Sequence, residues 1–97
     1  MQLSLKDKNI IKNFFSDKPI LKAYLFGFYA RNEAESNSDI DILVDLDYSK
    51  HIGLSFVSMK LELEKKLHKK IDLVSSQAIS KTILPFVEHD KKLIYER

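Results

Sequence analysis

Four aspartates fall between Asp39 and Asp47, in DIDILVDLD, and two of them, Asp39 and Asp41, are separated by a single residue. In an extended chain, residues i and i+2 point to the same side and stand about 6.5–7 Å apart, so both carboxylates can reach one or two small cations. Mg²⁺ takes one or two carboxylates together with water and phosphate oxygens, and a pair of such ions can clamp the attacking and leaving oxygens of a phosphoryl displacement. Asp72, in IDLVSS, is a third acid that a neighbouring strand about 4.8 Å away can bring to the same place. Three carboxylates without His or Cys favour hard cations. The competing reading is the solvated face of an edge strand, and the alternation alone does not choose between them. Asp72 tips the balance, because an acid between Ile71 and Leu73 in a short apolar strand needs a reason to be there. A calcium loop beginning at Asp45 fails, since Lys50 stands where Gly is required and Phe56 where Glu is required.

Further residues flank the acids. Gly27 closes an apolar run and opens a predicted short helix, whose first N–H groups and positive dipole end suit phosphate. Arg31 is a candidate phosphate contact, with plain surface charge as the alternative. Asn32 suits a turn because Asn tolerates left-handed backbone, and Ser38 orients the start of the acidic strand or serves as a turn serine. Asp45 and Asp47 continue the acidic face and read as solvated. His51, His68 and His89 share no metal-ligand spacing. Lys65, Lys66, His68, Lys69 and Lys70 form a cationic helix end, open to an acidic partner or RNA. Tyr24, Phe26 and Tyr29 read as core or pocket wall.

The elements that must position these residues are legible as periodicities. Leu5, Ile10, Ile11, Phe14 and Phe15 predict a helix over about residues 5–16, with Ser4 as N-cap. ILKAYLFG predicts a largely buried strand bounded by Pro19 and Gly27. Over Ile40–Leu46 the chain alternates, with Ile40, Ile42, Val44 and Leu46 on the core face and the acids opposite. Phe56, Met59, Leu63 and Leu67 recur at helical spacing between about residues 54 and 69, and Leu54, Val57 and Leu61 are expected to widen that buried stripe. A short strand IDLVSS, a last helix in AISKTILPFVEHD interrupted at Pro85, and a terminal strand KKLIYE follow. Ile83, Leu84 and Phe86 face either a partner or the core. The order implies an α/β (α+β) sheet covered by helices.

Composition bounds the rest. The 97 residues, 44% hydrophobic and 31% charged with two Gly and two Pro, suit one domain with one core, residues 1–97. The absence of Cys excludes a disulfide framework and Cys-ligated zinc and fits a reducing compartment. No apolar run approaches a membrane span or a signal-peptide core, so a cytoplasmic protein with no membrane association is expected. A net charge of +2 is too small to make nucleic acid the expected main ligand.

Taken together, LFGFYARNEAESNSDIDILVDLD resembles the signature of the minimal nucleotidyltransferases of the DNA polymerase β superfamily. That pattern is approximately G-S-x-A-x-(G/N)-x-A, then S-D-x-D-(I/L)-x-V, then an Asp in a later strand. Gly27, Ala30, Ala34, Ser38, Asp39, Asp41 and Val44 fit it, and Asp72 fits the third acid. The resemblance covers essentially the whole chain. It implies a mixed sheet with helices on one side and ATP held at the turn after the first strand, where Gly27, Phe28, Arg31 and Ser38 meet the phosphates. It also implies Mg²⁺, two ions in all, on Asp39 and Asp41, with Asp72 helping to bind metal and to activate an acceptor hydroxyl. That hydroxyl attacks the α-phosphate and expels pyrophosphate. Small members of the family commonly pair with a separate helical HEPN protein as a toxin–antitoxin system, so the implied acceptor is a tyrosine of such a toxin, reached in a hetero-oligomer or by a homo-oligomer. Phe28 departs from the pattern, standing where Ser usually donates to the phosphates. The alternative it raises is an antitoxin subunit of the same fold, weak or inactive in catalysis, that acts by binding its partner.

Overall fold

The computed structural model describes residues 2–97. Helix α1 (Leu5–Phe15) begins where the Ser4 hydroxyl accepts the Asp7 N–H at 3.0 Å, the expected cap. Strand β1 (Ile20–Phe26) runs into a single helical turn, α2 (Gly27–Ala30), and a polar loop leads to β2 (Ile40–Leu46). Helix α3 (Ser55–Leu67), strand β3 (Ile71–Ser75), helix α4 (Leu84–Asp90) and strand β4 (Lys92–Glu96) complete the order.

The four strands form one mixed sheet in the order β3-β2-β1-β4, with β2 parallel to β3 and antiparallel to β1. β2 is therefore an interior strand, which removes the edge-strand reading of its acids. Ile40, Ile42 and Val44 are fully buried on one face, against a core that includes Ile11 and Phe15 of α1 and Met59 and Leu63 of α3.

The opposite face is not bare. Leu43, opposite Tyr24 in register and on the side of Asp41, is buried, as is Val87 of α4, and both lie outside the main cluster. The Lys91 ammonium, just past α4, sits 4.6 Å from the Tyr24 ring centroid. The helices thus do not all lie on one side, contrary to the expectation.

Three other expectations need correction. Leu54, Val57 and Leu61 do not widen the buried stripe of α3 but are exposed, because at 3.6 residues per turn Val57 and Leu61 fall on the far side of the helix from the Phe56–Met59–Leu63–Leu67 line, and Leu54 precedes the helix as its N-cap. Pro85 does not interrupt a helix; it stands in the first turn of α4, where its missing N–H costs no hydrogen bond. Asp47 is not solvated: it accepts the Ser49 N–H at 3.1 Å and the Arg97 guanidinium at 2.7 Å, with little of its side chain exposed.

The Ser49 hydroxyl first, and the Arg97 guanidinium second, pull the Asp47 carboxyl down to about 2. A carboxyl lowered in the fold stabilises above its unfolded value of about 3.9 and loses that contribution as pH falls through the folded value. Asp47→Asn should therefore lower Tm at pH 7, and the gap from wild type should close between about pH 4 and pH 2 in thermal melts followed by circular dichroism.

Candidate active site

The register places the end of β1 against the acidic face of β2, since Phe26 pairs with Asp41. Gly27 follows with φ +71°, and a Cβ built on it would collide with the Asp41 Oδ2 and come within 3.1 Å of Cγ. Both the left-handed backbone and the close approach demand glycine. The chain then turns through α2, and the Phe28 carbonyl accepts the Glu33 N–H at 2.9 Å. Asn32 takes φ +60°, the left-handed turn expected of it. Tyr29 belongs to the core, 2% exposed, with its hydroxyl 3.3 Å from the Lys69 Nζ.

Asp41 pairs in register with Asp72 of β3, and Asp39 immediately precedes β2. Burial first, then the charges of Asp72 and Asp39, push the Asp41 carboxyl up to about 6, with Arg31 opposing. Asp72 is exposed, because β3 is an edge strand. It does not lie in a buried strand position as the sequence suggested. Among the described residues, no three His, Asp or Glu side chains converge into a metal cage. Mg²⁺ needs no such cage, since it binds through one or two carboxylates plus water and phosphate. Two adjacent carboxylates whose mutual repulsion a divalent cation would cancel fit that ion by donor chemistry.

A cleft of about 700 Å³ opens beside the acids, lined by Phe28, Glu33, Glu35, Asn37, Ser38, Asp39 and Asp41. Of the residues singled out from the sequence, Phe28, Ser38, Asp39 and Asp41 meet in it, with Gly27 packed behind Asp41. Ser38 accepts the Glu35 N–H at 2.8 Å and so closes the turn that leads into β2. Arg31 is turned elsewhere: its Nη1 donates to Asp90 at 2.6 Å and its Nε to Glu33 at 3.3 Å. Glu33, Glu35 and Asn37 were not anticipated; their one sequence signal is a polar loop beside the motif. Asp90 carried no signal, being 59 residues from Arg31.

A family model described as "Polymerase beta, Nucleotidyltransferase" matches residues 8–97. Two proteins of Methanocaldococcus jannaschii, both named provisionally as protein adenylyltransferases, are similar to this chain. The first is 43% identical over 60 residues, covering 62% of this chain and 63% of that protein, so the chain matches a little under two thirds of its length. The second is 37% identical over 93 residues, covering 93% and 87%. Among solved structures, one described as a toxin–antitoxin with AMP-PNP superposes with a TM-score of 0.78 at 25% identity, covering 93% of this chain and 73% of that one.

Two outcomes follow from the geometry. Gly27→Ala should cost about 1–3 kcal/mol in chemical denaturation, from positive-φ strain and displacement of Asp41. Asp41→Asn removes a half-buried carboxylate that faces two others, so at pH 7 its Tm should equal or exceed that of wild type in thermal melts.

Proposed function

Because the chain belongs to the polymerase β nucleotidyltransferase family, we propose that it transfers AMP from ATP to a hydroxyl of a protein partner. The partner is the toxin of a toxin–antitoxin pair, of the HEPN class implied by the resemblance, and the acceptor is a tyrosine. The observation that carries this reading is the union, around one cleft, of the Gly27 turn with Asp39 and Asp41, and Asp72 beside them in register. The provisional adenylyltransferase names of the M. jannaschii relatives support it, and so does the AMP-PNP in the structural neighbour.

In this reading Asp39 and Asp41 hold Mg²⁺, with Asp72 completing the set. When bound, the metal neutralises phosphate charge and orients the triphosphate. Four carboxylates on the cleft wall would otherwise repel ATP. The backbone of the Gly27–Phe28 turn faces the phosphates, and Ser38 fixes the loop that carries Asp39. The acceptor oxygen forms its bond to the α-phosphorus while the bond from that phosphorus to the bridging oxygen breaks. Pyrophosphate departs with the electron pair, and the Asp72 carboxylate accepts the hydroxyl proton. Such a transfer needs chiefly in-line positioning and charge neutralisation. We assign the whole chain to one catalytic domain that works in the cytoplasm, where ATP and Mg²⁺ are at hand.

Phe28 favours a second reading, a binding antitoxin with weakened catalysis, because its half-exposed ring lines the cleft where a donor would serve. Calorimetry decides between them. ATP titrated with Mg²⁺ should bind, and Asp39→Ala/Asp41→Ala should bind none; no binding by wild type at millimolar ATP would leave the binding antitoxin. Phe28→Ser should raise the transfer rate, by up to about 10²-fold if the hydroxyl supplies one full transition-state donor.

A further inference from the structure

Apolar surface lies on the same side of the molecule as the cleft. Phe86 of α4 is 70% exposed, and Ile83, just before that helix, and Phe28 on the cleft wall are each 51% exposed. These three are connected. Phe86 and Asp90 are four residues apart on one helix and Ile83 precedes Phe86 by three, so the three share a face. Asp90 accepts from Arg31, whose guanidinium carbon lies 5.2 Å from the Phe28 ring centroid. Phe28, Arg31, Asp90, Phe86 and Ile83 thus form a ledge that runs from the cleft onto α4.

The ledge and the cleft differ in charge. Arg31 is met by Asp90 within the ledge and by Glu33 on the cleft wall, so the two charges of the ledge itself cancel. Glu35, Asp39 and Asp41 form no ion pair among the described residues. The other exposed apolar side chains, Leu5, Leu21, Tyr48, Leu54, Val57, Leu61 and Leu93, do not line the cleft.

We propose that the Phe28–Phe86–Ile83 ledge docks the acceptor polypeptide, and that the docked segment is cationic and carries an apolar side chain next to its hydroxyl-bearing residue. The inference rests on the transferase reading above and adds where the acceptor sits and which chemistry selects it. Phe28 is the part of the cleft wall that continues into the ledge, so a chain that delivers its hydroxyl to an α-phosphate above Asp39 and Asp41 across that rim lies along the ledge. Exposed aromatic and aliphatic anchors bordered by polar groups suit an apolar side chain of that segment. The unpaired acids beyond them attract cations and repel an acidic segment.

The test uses radiolabelled ATP, Mg²⁺ and two short synthetic peptides, each with Tyr between two leucines, one flanked by arginines and the other by glutamates. The arginine peptide should be labelled faster. Ile83→Ser/Phe86→Ser, which alters only exposed side chains, should raise its KM by about tenfold and leave the Kd for Mg·ATP unchanged. An unchanged KM, equal labelling of the glutamate peptide, or labelling of neither peptide by protein that still binds Mg·ATP would overturn the ledge alone. Failure of wild type to bind Mg·ATP would overturn the transferase reading and the ledge with it.

Discussion

A carboxylate held half-buried in the middle of a sheet, facing two others, costs free energy, and most of this fold can be understood from how the cost at Asp41 is limited and kept available. Burial and like charge both push its carboxyl upward, and Arg31 offsets them only in part. The position is fixed from the other side of β2. Ile40, Ile42 and Val44 are fully buried there, and a slip of one residue would send them to solvent and the acids into the core. The core thus sets the register, and the register places the acids. Gly27 belongs to the same constraint, since only a residue without a side chain lets the β1 turn close against the carboxylate it must adjoin.

The sheet order gives each acid a different environment. Asp41 lies on an interior strand and is half-buried, whereas Asp72, its register partner, lies on an edge strand and is exposed. Asp39 precedes the strand, on a loop pinned by Ser38 and Glu35. In the proposed reading these environments suit different tasks: Asp41, half-buried on an interior strand, would serve as a fixed ligand, and Asp72 would have the solvent access that passing on a proton requires.

What the sequence made legible was what obeys a local period. The alternation of β2, the Phe56–Met59–Leu63–Leu67 line of α3 and the Ser4 cap each need only a few neighbouring residues, and each stands where expected. Pro85 was misjudged because proline starts helices as readily as it stops them, and the deciding signal, which residues turn helical after it, depends on Val87 finding a buried place. Leu54, Val57 and Leu61 were misjudged because apolarity does not specify a face when the stripe is already wide enough. Asp47 was misread, and Arg31 left open between two readings, for a third reason. Their partners, Arg97 and Asp90, are 50 and 59 residues away, and no local pattern announces an ion pair closed by tertiary structure.

Arg31 illustrates how such a pair changes the meaning of a residue. By sequence it is a cation next to a phosphate-binding turn. In the fold it ties α2 to α4, lies over Phe28 and reaches Asp41 only through its field. Its charge is already matched by Asp90 and Glu33, so withdrawing it to meet a phosphate would leave two carboxylates exposed in an acidic region. Positive charge for a triphosphate must then come from outside the side chains of the cleft. The carboxylates lining that cleft point to the same need, because they repel ATP unless a cation accompanies it. In the proposed reading the chain therefore contributes the negative half of the site together with its geometry, and a bound divalent cation would supply the positive half.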